Sequence, residues 1–430
     1  MKILIKNGHI IDPSRKFDRV CDIYLVNDKI KKIGRNLKII DKNIKIFDAT
    51  NKFVFPGLVD IHTHLREPGF EGKETIATGS RAAAKGGVTS VCCMPNTNPV
   101  LDNLPSIEYV VLKSEKESLV NVYPIGCITK KQEGKVICEI GTLIDGGILA
   151  VSDDGNPVMD SFIMAKALEY CKTFDIPVVS HCEDLDLVNN GVMNEGEISM
   201  RLGLAGIPNA AEEVMVSRDI ILAESTGGYL HIAHISTKGS VNLVRDAKRR
   251  GVNITCETTP HYFTLTQEAV LGYNTNAKMN PPLRTNSDVM AIIEGLKDGT
   301  IDAIASDHAP HTIEEKNREF DLAPFGIIGL ETELALAYTE LVLKAKMDIS
   351  TVIKKLTINP AKIMRIENRG SLQVGNFADV IIFDPNKKFR VGDYIASKSS
   401  NTPFLDWELQ GVVDLTIVNG KVVWQNGEFI

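Results

Sequence analysis

The chain has 430 residues, 43% of them hydrophobic and 24% charged, with a formal net charge of −7. That length suggests one large domain plus a smaller one, and the composition is that of an ordinary globular protein. An acidic balance without any basic block excludes nucleic acid and anionic membrane surfaces as main partners.

The first residues, MKILIKNGHIIDPSRKF, lack the apolar core of a signal peptide. No run of about 18 apolar residues marks a membrane span. The eight cysteines (21, 92, 93, 127, 138, 171, 182 and 256) form no CxxC pair, and several sit in apolar runs. They read as reduced thiols, which points to the cytoplasm.

In chain order, residues 1–55 alternate apolar and polar positions around Asn-Gly and Asn-Asp turns, as in KILIKNGHIID and CDIYLVNDKIKKIG. That is the pattern of short strands. Residues 366–430 have the same texture, in GNFADVIIFDPNKKFRV and VVDLTIVNGKVVWQNGEFI. The expected arrangement is a small β-sandwich domain built from 1–55 plus 366–430, with a second domain, 56–365, inserted between its halves.

The middle contains eight short apolar runs: LVDIHTHL, VTSVCCMP, VNVYPIGCIT, ILAVSDDG, IPVVSHCE, YLHIAHIS, VNITCETTP and IDAIASDHAP. Helical patterns such as ETIATGSRAAAKGG, MDSFIMAKALEYCKTFD and KGSVNLVRDAKRRG separate most of them. Strand alternating with helix gives parallel strands and right-handed crossovers. Eight such units predict an α/β fold, a (β/α)8 TIM-type barrel with its site at the C-terminal strand ends.

Metal-binding residue types recur at those ends. His62 and His64, two apart in a strand, face the same way. Asp153 and Asp154 end the fourth run and His181 the fifth; His231 and His234 lie in or after the sixth, and Asp307, His308 and His311 follow the eighth. His231, three residues from His234, falls on the opposite side of an ideal strand. Imidazole and carboxylate suit borderline cations such as Zn²⁺. One histidine at a strand end is more often structural than a ligand; the coincidence at five ends is what argues for metal. His9 reads as a surface residue, His261 as structural, and Cys182 as buried.

The motifs DIHTHLREPG, MPNTNP, SDDGNPV, HCED, HIAHIST, KMNPPLR and ASDHAPHTIEEK resemble the first, bacterial-type class of the dihydroorotase family, within the amidohydrolase superfamily. The resemblance covers essentially the whole chain. It implies a zinc-dependent, reversible cyclisation of N-carbamoyl-L-aspartate to (S)-dihydroorotate plus water, the third step of pyrimidine biosynthesis. It implies two Zn²⁺ per subunit, with His62, His64 and Asp307 on one, His181 and His234 on the other, and Asp154 bridging. Asp307 would be the catalytic proton carrier. His64, Leu65, Arg66, Asn96, Asn280, His311, Phe325 and Gly326 would contact substrate, Arg66 gripping its carboxylate. A homo-oligomer and an association with aspartate transcarbamoylase come with the same family likeness.

Two other readings compete with this one. An allantoinase or hydantoinase shares the fold, but the hydantoinase branch uses a carbamylated lysine on strand four, and GGILAVSDDG has none. A non-catalytic homologue that scaffolds aspartate transcarbamoylase should have lost ligands, and none is missing. Residues 312–324, charged and without a clear apolar face, read as a closing lid open to proteolysis near Lys316 or Arg318.

Overall fold

The computed structural model describes residues 1–39 and 43–430. Eight parallel strands form two arcs, one of three strands and one of five. We number them β1 (Leu58–Thr63), β2 (Val88–Cys93), β3 (Asn121–Pro124), β4 (Val151–Ser152), β5 (Val178–Ser180), β6 (Leu230–Ile232), β7 (Ile254–Thr258) and β8 (Ala303–Ile304). Parallel bridges close the ring: Gly126 to Val151 joins β3 to β4, and Thr63 to His308 joins β1 to the segment after β8. All eight apolar runs therefore become strands of one barrel, although β4 and β8 keep only two paired residues each.

Most of the strand residues are buried, as expected where helices cover the outside of a barrel. The expected helices form at Ile76–Gly86, Ser161–Lys172 and Lys238–Arg249. Thr75, Asp160 and Thr237 cap their N-termini with side-chain oxygens. Gly86 is required by packing, because a Cβ there would lie 2.0 Å from the Leu330 carbonyl oxygen.

Strands from both ends of the chain join in a single nine-stranded sheet. Phe53–Pro56 is its junction, pairing in parallel with Lys2–Asp12 on one side and antiparallel with Val380–Arg390 on the other. Ile3, Ile5, Ile23, Val54, Val380, Leu415 and Ile417 share one core beneath it. Among the described residues all eight cysteines are free and buried, and no helix is long and apolar enough to cross a membrane.

Candidate metal centre and cleft

The ends of β1, β4, β5, β6 and β8 bring His62, His64, Asp154, His181, His234 and Asp307 together. His62 Nε2 lies 3.4 Å from Asp154 Oδ1 and 3.6 Å from Asp307 Oδ1. His64 Nε2 lies 3.1 Å from Asp307 Oδ1 and 3.5 Å from Asp154 Oδ2. On the other side of Asp154, His181 Nδ1 and His234 Nε2 are 3.5 and 3.6 Å from Oδ1, and 2.9 Å from each other. Two three-residue groups result, His62–His64–Asp154 and Asp154–His181–His234, each with ligand atoms within 4.8 Å of one another. Asp154 belongs to both.

The backbone is bent to achieve this. Arg66, His234 and Asp307 have φ of 61°, 31° and 46°. Non-glycine residues there carry strain of about 1–3 kcal/mol, and such strain gathers at functional sites. The left-handed turn at His234 also breaks strand parity. His231, expected on the opposite side from His234, instead points inward one layer deeper, its Nε2 3.2 Å from Glu257 Oε2.

The imidazoles are oriented from behind. Glu257 Oε1 sits 2.6 Å from His62 Nδ1, and Asn96 Oδ1 2.9 Å from His64 Nδ1, so each ring turns Nε2 to the cluster. Glu183 Oε2 is 3.3 Å from His181 Nε2 and accepts from Asn280 Nδ2 at 3.1 Å. Burial disfavours charge on His181, but Asp154 and Glu183 outweigh it and push the group up to about 10. Burial likewise opposes charge on His62, where Asp154 and Asp307 prevail and raise it. A field that would hold protons on buried imidazoles also holds cations. Asp307, against its burial, is kept below the usual carboxylate range by His62 and His64.

Above the cluster opens a cleft of about 340 Å³ lined by His64, Arg66, Asn96, Asn280, His311, Phe325 and Gly326 among others. Arg66 donates from Nε to Pro310 O at 3.2 Å, and its Nη2 is 3.2 Å from His311 Nε2. Burial brings Arg66 down only to about 10, so it stays cationic at neutral pH. Burial, reinforced by Arg66 and Lys73, holds His311 down at about 2, a neutral ring able to accept from the guanidinium.

Several expectations need correcting. Leu65 does not line the cleft; its side chain is packed in the barrel core, close to Gly79. Gly326 has no polar group to spare: its N–H donates to Lys278 O at 2.9 Å, and its carbonyl accepts from Asn401 Nδ2 at 3.0 Å and Lys316 Nζ at 3.1 Å. It lines the cleft by shape, with φ of 123°. The lid expectation fails at Lys316, whose buried Nζ reaches Lys278 O, Pro324 O and Gly326 O. Residues Ile313–Lys316 form a short helix capped by Thr312 and Glu315.

Asp153 is engaged elsewhere, accepting from the N–H groups of Ile128 and Thr129 at 2.8 and 3.1 Å. His308 lies between Glu74 and the Gly329 N–H. His261 is buried beside Thr259 Oγ1, 2.6 Å away. Cys182 turns to Ser180 and Asp219, 3.5 Å from each. His9 lies at the surface beside Asp18. Sequence reasoning missed Glu257 and Glu183. A lone acid within the buried run VNITCETTP was the available signal for Glu257, since unpaired buried carboxylates are rare.

A family model described as dihydro-orotase-like matches residues 51–240, and one described as an amidohydrolase family matches 233–424. The chain is 56% identical to a dihydroorotase of Endomicrobium trichonymphae over 99% of its length and 100% of that relative. It is 52% identical to one of Geobacter metallireducens, again over 99% and 100%. Among solved structures, an L-hydantoinase of Arthrobacter aurescens superposes with a TM-score of 0.89 at 24% identity, over 100% of this chain and 97% of that one. A D-hydantoinase of Thermus sp. gives 0.85 at 28%, over 100% and 96%.

Proposed function

This chain belongs to the dihydroorotases of the amidohydrolase superfamily, and from that premise we propose how its residues carry out the reaction. The reaction is the reversible ring closure of N-carbamoyl-L-aspartate to dihydroorotate, with loss of water. We assign 56–365 as the catalytic barrel and 1–55 with 366–430 as the accessory β unit.

The observation that carries the assignment is the set of inward-facing atoms around Asp154. His62 Nε2 and Asp154 Oδ1, 3.4 Å apart, are both buried without a hydrogen-bond partner. Ligand atoms held tetrahedrally at about 2.0–2.1 Å from zinc stand roughly 3.3 Å apart, and the separations here run from 2.9 to 3.6 Å. The donor set therefore fits Zn²⁺. His62, His64 and Asp307 would hold one ion, His181 and His234 the other, with Asp154 shared. When bound, the ions would supply a water of lowered pKa and a polarised amide carbonyl.

The remaining chemistry belongs to side chains. Asp307 takes the attacking water's proton and delivers it to the departing ring nitrogen; ring closure runs the same transfer backwards. Its Oδ1 is turned to His62 and His64, leaving the other oxygen for the proton. Arg66 holds the substrate carboxylate, a bidentate charge-assisted contact, with His311 and Asn96 beside it. Asn280 meets the ring's polar edge, and Phe325 and Gly326 form the facing wall. The site works in the cytoplasm, consistent with unpaired cysteines. A homo-oligomer, and association with aspartate transcarbamoylase, are checked by sizing chromatography of the chain alone and mixed with that enzyme.

Metal analysis coupled to side-by-side turnover of dihydroorotate, hydantoin and allantoin tests the assignment. Zinc near two per chain with dihydroorotate strongly preferred is expected. Full activity in metal-free protein, or a preference for hydantoin, would overturn it.

A further inference from the structure

Strands Val380–Arg390 and Glu408–Val418 of the terminal sheet are joined by residues 391–407. Connections of this length without regular structure are uncommon in compact domains, and those that exist are often functional. This one is packed into the molecule: Ser397, Ser399, Asn401, Thr402 and Phe404 are all buried. Its neck is closed by hydrogen bonds of 2.9 Å from Val391 N–H to Trp407 O and from Asp406 N–H to Val391 O. Beyond the neck it reaches the barrel mouth. There Ser397 N–H donates to Glu331 Oε1 at 3.0 Å, and Ser399 Oγ donates to Lys73 O at 2.6 Å.

Asn401 makes the contacts nearest the cleft. Its Oδ1 accepts from the His311 N–H at 3.1 Å. Its Nδ2 donates to Ala309 O at 3.1 Å and to Gly326 O at 3.0 Å. Its own carbonyl accepts from the Ile328 N–H at 2.9 Å. One planar amide thus ties the 309–311 turn to the 326–328 segment. These walls have no slack, since a Cβ on Gly326 would lie 2.7 Å from Ala309 Cβ and 3.3 Å from His311 Nε2. An apolar residue at 401 would leave the His311 N–H and Ala309 carbonyl without this partner inside the protein, which is costly for buried groups.

We infer that Asn401 is a positioning residue for substrate binding, supplied to the barrel by the terminal sheet. It does not line the cleft. It sets the spacing of the His311 wall and the Phe325–Gly326 wall, and through His311 the aim of the Arg66 guanidinium. Small displacements of positioning groups weaken binding and turnover out of proportion to their size. The inference rests on the reading of Arg66 and His311 as the carboxylate grip.

The test uses the metal-loaded, full-length enzyme with Asn401→Ala, Asn401→Asp, His311→Ala and the His311→Ala/Asn401→Ala double variant. Asn401→Asp keeps the size and the Oδ1 acceptor but loses both amide donors, so it carries the test if Asn401→Ala fails to fold. Loss of one or two buried hydrogen bonds predicts a KM for dihydroorotate raised about tenfold, with kcat within about threefold. Metal content should not change. The double variant should be worse than His311→Ala by less than the full Asn401→Ala effect, since only the hold on Gly326 then still bears on substrate. A raised KM in His311→Ala beside a normal KM in the foldable Asn401 variant overturns the inference alone, as do fully additive effects in the double variant or a fall confined to kcat. A normal KM in His311→Ala removes the carboxylate reading and the inference together.

Discussion

On the floor of the cleft, four imidazoles and two carboxylates crowd together, and two of their inward atoms, His62 Nε2 and Asp154 Oδ1, have no hydrogen-bond partner. On the wall, Arg66, His311 and Gly326 have most of their polar groups engaged by neighbours. On the proposed reading the floor holds metal, and each of its residues would share in that. The wall is finished by the chain itself and spreads its work over many contacts. Loss at the floor should therefore be close to complete, and loss at the wall graded.

The largest effect should come from removing metal. A chelator should abolish dihydroorotate hydrolysis and Zn²⁺ restore it. His62→Ala and His234→Ala should lose metal while keeping the native circular dichroism spectrum, because the apolar clusters of the barrel are left intact. Activity that survives chelation would erase the distinction between floor and wall.

Asp307→Asn comes next. It keeps the side chain's size but cannot carry a proton at neutral pH, and should lower hydrolysis and ring closure together by about 10²–10⁴-fold. A fall in one direction only would remove Asp307 as the shared carrier. The alternatives are already occupied, Asp153 by the Ile128–Thr129 backbone and His308 by Glu74.

Arg66→Met sharpens the contrast from the wall side. A hydrogen bond to a charged group contributes about 1.5–3 kcal/mol, so losing a bidentate pair predicts at least a ~100-fold drop in kcat/KM, with zinc content intact. An unchanged kcat/KM would mean that the guanidinium does not meet substrate. Glu257→Gln probes the layer beneath the floor. Weakening the contact to His62 Nδ1 should lower zinc affinity by about 10–100-fold, measured by competition with a chromophoric chelator. The smallest expected effect is none: Cys182→Ala should leave zinc stoichiometry unchanged, since that thiol faces Ser180 and Asp219.

Strand ends in a barrel meet at one mouth, so locating the strands was enough to gather the candidates; the family motifs then chose Asp154 over Asp153, His234 over His231 and Asp307 over its neighbours. The layer behind them was harder to see. Glu257 reaches His62 from β7, two strands away around the barrel, and nothing local in HCED announces the contact of Glu183 to His181. His231 was misjudged because parity holds only while a strand continues, and β6 stops at Ile232 before the turn at His234. Lys316 misled for a different reason: in a charged run it reads as solvated, yet three backbone carbonyls receive it inside the protein. Asn401 was out of reach, since nothing local in SKSSNTPF announces contacts about 75 to 90 residues upstream.

The strand Phe53–Pro56 pairs with partners at opposite ends of the chain, and Val380–Arg390 is one of them. A ribosome adding about 5–20 residues per second needs on the order of tens of seconds to travel from one to the other. During that interval the entire barrel sequence emerges while the edge of Phe53–Pro56 stays open. An open edge is a template for pairing with other chains. Synthesis of this enzyme thus passes through a stage in which the clustered histidines are all present while its first sheet is still half-made.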